Sequence, residues 1–202
     1  MQFKNVFLGR RSIRRYKNKP VPKELIGEII DLARFAPSSG NLQSWRFLVV
    51  TGKEKREAIA DSCLQQTWML EVPVHIIVCN DFGEVKDHYG KLGKMYSIQN
   101  CSNAAFALML IAQDKGLGSC WVGAFESEAL HREFDIPDSM DPEVIITLGY
   151  SDEVKGPAQR DDPEYLTFFE TWGNSFTKFP SHLDKFKGKI NIIKNSLKKL
   201  KK

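Results

Sequence analysis

Residues 36–50 read APSSGNLQSWRFLVV, and this stretch sets the architecture on both of its sides. Pro37 should end the helix before it, because proline lacks the backbone donor and crowds the preceding turn. Ser38, Ser39, Gly40, Asn41 and Gln43 then make a loop of small polar residues. Trp45 to Val50 follows as an aromatic and β-branched strand, stopped at Gly52.

Working outward, VPKELIGEIIDLARFAPS places Leu25, Ile26, Ile29, Ile30 and Ala33 on a helical repeat, with Pro22 suited to its first turn. Downstream, KEKREAIADSCLQQ reads as an amphipathic helix and VPVHIIVCND as a buried strand with the turn former Asp81 near its end. FGEVKDHYGKLGK lacks a clean period and reads as a loop or short helix over the surface. Met95 to Lys115 forms one long helix, apolar all round from Ala104 to Ala112, so most of its faces should be buried. GLGS stops it, and CWVGAF is a short extended piece. SEALHREFDI is a further helix with Ser127 as N-cap, and PEVIITLGY is a last core strand. Helices and strands therefore alternate, which gives an α+β or α/β sandwich.

The 202 residues suit one main core. We place the main domain at residues 1–180 and a basic tail at 181–202. The tail holds eight lysines from Lys185 onward and no acid there, which leaves 21 Lys and Arg against 25 Asp and Glu in the rest. A mildly acidic body gives little reason to expect nucleic-acid binding. In the tail, Ile190, Ile193, Leu197 and Leu200 fall three to four apart between lysines. That stripe suits a helix packed on its own body or on a partner, with contact to an anionic membrane surface as the other reading.

Cys63, Cys79, Cys101 and Cys120 are scattered, with no paired Cys-x-x-Cys motif for zinc or iron–sulfur, so no metal is expected. Free thiols in apolar surroundings, and no apolar leader at the N-terminus, point to the cytoplasm. His75, His88, His131 and His182 are isolated, and His75 reads as a core or rim histidine with its bonds satisfied. GLGSCWVG begins like a dinucleotide loop, but Trp121 takes the third glycine position and a helix precedes it.

Residues 9–20, GRRSIRRYKNKP, are the basic cluster of the body. Arginine offers a planar fork of donors to phosphate. Arg10 and Arg14, like Arg11 and Arg15, stand four apart and would share a face on a helix or turn, with Ser12 adding a hydroxyl. A solvated basic patch is the plainer reading of the arginines alone. The loop at 38–43 can read a polar ring edge, or simply cap a turn. GLGSCWVGAF lets backbone approach a flat ligand, or simply joins a helix to a strand. Arg160, in KGPAQRDDPEYL, is by itself a surface arginine.

Taken together, RRSIRRY, APSSGNLQSWRFLVV, GLGSCWVGAF and QRDDPEYLTFFETW resemble, in order and spacing over about residues 5–172, the four blocks of the FMN-dependent nitroreductase family. The resemblance implies an α+β fold: a three-layer sandwich with a central, mostly antiparallel sheet flanked by helices. It implies a homodimer with FMN at the interface. Arg10, Ser12 and Arg14 would hold the phosphate and the pyrimidine side of FMN, with Arg11 in the same motif and Arg160 completing the clamp. Pro37, Ser38, Ser39 and Asn41 would come from the other subunit. Trp121, Val122 and Gly123 would line the isoalloxazine, with a backbone N–H near Gly123 facing flavin N5, and Gln66 would contact the ring. Ala158 stands where a basic residue is frequent in the family, and Met69 where some members place a lysine near the flavin.

The implied activity is that of an oxidoreductase: hydride passes from NADH or NADPH through flavin N5 to an electron-poor small molecule such as a nitroaromatic, quinone or enone. Such transfer needs no catalytic acid or base from the protein, and none is assigned. The alternative is a flavin-binding protein of the same fold with a specialised oxidase or storage role and little NAD(P)H turnover.

Overall fold

The computed structural model describes residues 2–64 and 66–175. The expected tail helix lies outside the described residues. The chain divides into a first unit, Met1–Pro157, and a second, Ala158–Lys202.

The first unit is built on a four-stranded sheet in the order β1-β2-β4-β3, with β1 at Trp45–Val50, β2 at Val74–Asn80, β3 at Gly118–Val122 and β4 at Asp141–Gly149. All three pairings are antiparallel. β2 is buried along its whole length, as its continuous apolar run requires. Among the described residues this unit has six α-helices: α1 (Phe3–Gly9), α2 (Lys23–Ala33), α3 (Lys53–Ser62), α4 (Gly83–Tyr89), α5 (Gly93–Asp114) and α6 (Ser127–Phe134). Val74, Ile76 and Val78 of β2 face α2 and α5, packing on Ile29, Ala104 and Leu108. Ile77 and Cys79 face the other way, onto Ile59 of α3 and Leu130 of α6. The sheet is therefore the middle of three layers, and the alternation of side chains along each strand decides which layer each residue joins.

α5 is the central helix that its all-round apolar run implies, with Ala104, Ala105, Leu108 and Ala112 fully buried. Of the loop or short helix expected over residues 82–94, the structure forms the short helix α4, anchored by buried Val85. Two local readings change. Residues 3–9 form α1, a helix that the sequence pattern did not announce. Ser127 is the first helical residue of α6 rather than its cap; Glu126 holds that position, with no side-chain cap bond.

The second unit, within the described residues, contains α7 (Pro163–Leu166) and a bridge between Phe168 and Ser175. The Phe168 and Trp172 rings stack with centroids 4.5 Å apart.

Candidate flavin site

The arginine segment is extended. Past α1 the chain runs beside the edge strand β3, with a parallel bridge between Ser12 and Ser119, and the Ile13 N–H donates to the Ser119 carbonyl at 2.9 Å. Its other side meets the chain leaving β4: Tyr16 bridges Ser151, and Asp152 N–H donates to the Arg15 carbonyl at 3.0 Å. Arg10 and Arg14 are thus not on a helical face. Between the two bridges the chain turns, since the successive N–H groups of Arg14 and Arg15 both meet one carboxylate oxygen of Glu153.

Buried Ile13 and Tyr16 pin the segment. The Tyr16 hydroxyl donates to the Ile13 carbonyl or bonds the Thr147 hydroxyl, each at 2.7 Å. Burial, partly offset by Thr147, pushes this phenol well above its ordinary pKa, so it stays protonated. Gly149 makes room for the ring: a Cβ there would stand 2.7 Å from both Tyr16 and Pro73.

The charges gather near Cys120, in the middle of β3. Burial raises the Cys120 thiol, while Arg14, the Ser12 hydroxyl, Lys155 and Arg10 each pull it back down. Three cations and a hydroxyl therefore act on one buried atom. Arg14 also lies over the Trp68 ring, 5.8 Å from its centroid. Arg11 is used differently: its guanidinium donates to the carbonyls of Gly156 at 3.1 Å, Arg10 at 2.6 Å and Leu8 at 2.7 Å. Those bonds shape the turn out of α1.

Two neighbours were missed from sequence. Glu153 Oε1 accepts the Arg14 N–H at 2.6 Å and the Arg15 N–H at 3.2 Å. Lys155 Nζ pairs with that oxygen at 2.9 Å and donates to the Ser12 carbonyl at 2.7 Å. Burial pushes the Glu153 carboxyl up, but the Arg14 N–H and Lys155 outweigh it and hold it below the usual carboxylate range.

Further along the edge, Trp121 is 41% exposed, Val122 is buried and Gly123 is exposed. Gln66 Nε2 donates to the Ala124 carbonyl at 3.3 Å, which brings Gln66 beside this turn. Met69, by contrast, is fully buried beneath the sheet, so its side chain is core.

The loop at 37–44 is a separate polar assembly held by α5. Asn103 Nδ2 donates to the Pro37 carbonyl at 3.0 Å, and Asn100 bonds the backbone of both Ser39 and Leu42. Gly40 and Asn41 both take left-handed backbone, each with φ 59°. The Ser38 hydroxyl is buried and has no hydrogen-bond partner among the described residues. An orphaned hydroxyl in a rigidly held loop suits a polar ligand edge. Asn100 and Asn103 could have been found from their spacing of three, next to Ser97, just before the apolar run that starts at Ala104. Arg160 lies in the second unit, exposed, with Nη1 donating to the Gln159 carbonyl at 2.9 Å.

The donor set on the first unit fits a phosphate-bearing, flat cofactor: guanidinium forks beside a hydroxyl, next to an exposed indole and an exposed glycine. The four thiols offer no competing chemistry, since burial pushes Cys63 and Cys101 up to about 12 and Cys79 to about 11. Among the described residues no group of three His, Cys, Asp or Glu could hold a metal ion, and no helix is long and apolar enough to cross a membrane.

Known proteins point the same way. The chain is 35% identical over 169 residues, 81% of its length and 84% of the other's, to a Methanothermobacter thermautotrophicus protein provisionally named NADH dehydrogenase/NAD(P)H nitroreductase. It is 26% identical over 199 residues, covering 92% of its length and 80% of the other's, to the FMN reductase [NAD(P)H] of Bacillus subtilis. A solved FMN-dependent nitroreductase from Clostridium difficile R20291 superposes with a TM-score of 0.73 at 29% identity, over 84% of this chain and 99% of that one. The model of the Nitroreductase family matches residues 8–70 and 62–150, the span that carries the arginine segment, the polar loop and β3. The family model and the 35% identical relative show that the chain belongs to the nitroreductase family.

Proposed function

We propose that this protein is an FMN-dependent oxidoreductase that takes hydride from NADH or NADPH and delivers it to an electron-poor small molecule: a nitroaromatic, a quinone or an enone. The observation that carries the reading is the bridge that sets Ser12, flanked by Arg10 and Arg14, beside Ser119 of β3. FMN, when bound, supplies the two-electron chemistry. Arg10, Arg14 and the Ser12 hydroxyl bind its phosphate, and Arg11 fixes the backbone that presents them. Trp121, Val122, Gly123 and Gln66 line the ring. Positive charge along this edge also favours an anionic form of the ring over a neutral one. No side chain is required to move a proton.

The loop Pro37, Ser38, Ser39 and Asn41 is assigned to the flavin of a second copy, so the working unit is a homodimer. Supporting this, α5 exposes Met95, Ile98 and Phe106, and Phe7 of α1 packs its exposed ring on Phe106 with centroids 5.8 Å apart. Apolar surface of that kind marks an interface.

A spectrum of the purified protein tests the activity. We expect a yellow protein whose flavin bleaches on anaerobic addition of NADH or NADPH and recovers with a quinone. A colourless protein that takes up no added FMN overturns the proposal. Bound flavin that neither nucleotide reduces supports the specialised oxidase or storage role instead.

A further inference from the structure

We propose that Lys155 is a phosphate-binding residue of the flavin site, set in place by Glu153. The inference rests on the flavin reading above and adds a residue that the arginine motif does not contain.

Lys155 lies in the segment that leaves β4, far from the arginines in sequence. Its ammonium nevertheless acts on the Cys120 thiol together with Arg14 and Arg10. The position is built. Nζ donates to the Ser12 carbonyl at 2.7 Å and pairs with Glu153 Oε1 at 2.9 Å. The same carboxylate oxygen accepts the backbone N–H groups of Arg14 and Arg15. One carboxylate thus ties the ammonium to the backbone that presents Ser12 and Arg14.

Donor and charge counts assign the role. An ammonium has three N–H groups; two are used on Ser12 and Glu153, and the third has no partner among the described residues. Among the described residues neither Arg10 nor Arg14 forms an ion pair with a carboxylate, while Glu153 offsets Lys155. The net charge of these four side chains is about +2, the complement of a phosphate monoester at neutral pH. Without Glu153 the Arg14 and Arg15 N–H groups would be an open anion site of their own, competing for the phosphate. With it, that nest is filled and the free donors belong to side chains.

The test compares FMN with riboflavin, which has the same ring and no phosphate, on the full chain stripped of bound flavin. In Lys155→Met we expect FMN to bind about tenfold or more weakly and riboflavin to bind as in the unchanged protein. Lys155→Arg should restore most of the loss. Glu153→Gln should weaken FMN less than Lys155→Met, again sparing riboflavin. If Lys155 is only a structural tie, FMN and riboflavin weaken by the same factor in Lys155→Met, the urea midpoint falls with them, and the proposal is overturned. Unchanged FMN affinity also overturns it. An unchanged protein that binds neither flavin removes the flavin reading itself, an outcome seen before any variant is made.

Discussion

The Asn100 side chain spans the polar loop: Oδ1 accepts the Ser39 N–H at 2.8 Å, and Nδ2 donates to the Leu42 carbonyl at 3.0 Å. Asn100 is only 1% exposed, and its bonds to Ser39 and Leu42 are part-buried, so removing the amide leaves both backbone groups poorly placed to find water. Asn100→Ala should cost about 2 kcal/mol in urea unfolding, the worth of two part-buried hydrogen bonds lost one-sidedly. Asn103→Ala, which removes an exposed bond to Pro37, should cost about 0.5 kcal/mol. Both should weaken FMN binding if the loop serves the flavin of a second copy. Equal stability losses would show that the burial of Asn100 does not set its contribution.

Arg14 and Arg15 are neighbours with different tasks. Arg14 acts on Cys120 and stacks over Trp68, while Arg15 is exposed and engages the structure through its backbone. Arg14→Ala should weaken FMN retention about tenfold or more, as loss of a charged hydrogen bond does. Arg15→Ala should change it by about twofold at most, since an isolated surface charge contributes little. Equilibrium dialysis at two salt concentrations separates them, and equal losses would defeat the division.

These two sites differ in how far the sequence could announce them. The alternation of helix and strand was legible because periodicity reports burial directly: β2 and α5 are buried where their apolar runs are continuous. The residue types proposed for the site could be named as candidates, since arginine forks and a Ser-Ser-Gly-Asn loop supply donors for an anionic or polar ligand. The path of residues 10–17 was not. A spacing of four suggests a helix, yet here the conformation is set by bridges to Ser119 and Ser151, contacts more than a hundred residues away. Glu153 and Lys155 were invisible for the same reason, because their partners are backbone atoms of that distant segment. His75 was placed correctly in the core but expected to be satisfied. Whether a buried ring finds a partner depends on atoms that no local pattern names.

Gly40 is held by geometry that a side chain cannot share. Its φ of 59° is left-handed, and a Cβ there would stand 2.7 Å from the Tyr89 hydroxyl. Gly40→Ala should therefore destabilise through two separable causes: about 1 kcal/mol for the backbone and a further steric part. Tyr89→Phe removes the hydroxyl, leaving the next ring carbon at 3.6 Å. In a double-mutant cycle Tyr89→Phe should recover the steric part and leave the backbone part. Full additivity would place the cost of Gly40→Ala entirely in the backbone.

His75 gives the fold a pH dependence of its own. It sits in a row across the sheet, Val50, His75, Thr147 and Cys120, on the side facing α3. The ring is fully buried, and neither nitrogen has a hydrogen-bond partner among the described residues. Burial first, and the Arg56 guanidinium second, push its pKa down to about 3, against a weaker opposing contribution from the Met69 backbone. The folded protein thus holds a neutral imidazole, whereas the unfolded chain takes up the proton near 6.5. Stability from this residue is complete above about pH 6.5 and falls as the pH drops toward 3, because the unfolded state then binds the extra proton. Between pH 7 and pH 5 the loss should be about 2 kcal/mol. Urea unfolding of the unchanged protein and of His75→Leu at both pH values measures it. The other three histidines are common to both proteins and cancel in the difference. The leucine variant should show the shallower pH dependence, whatever its stability at pH 7. Parallel losses in the two proteins would mean that the buried ring finds a charged state the fold can accommodate.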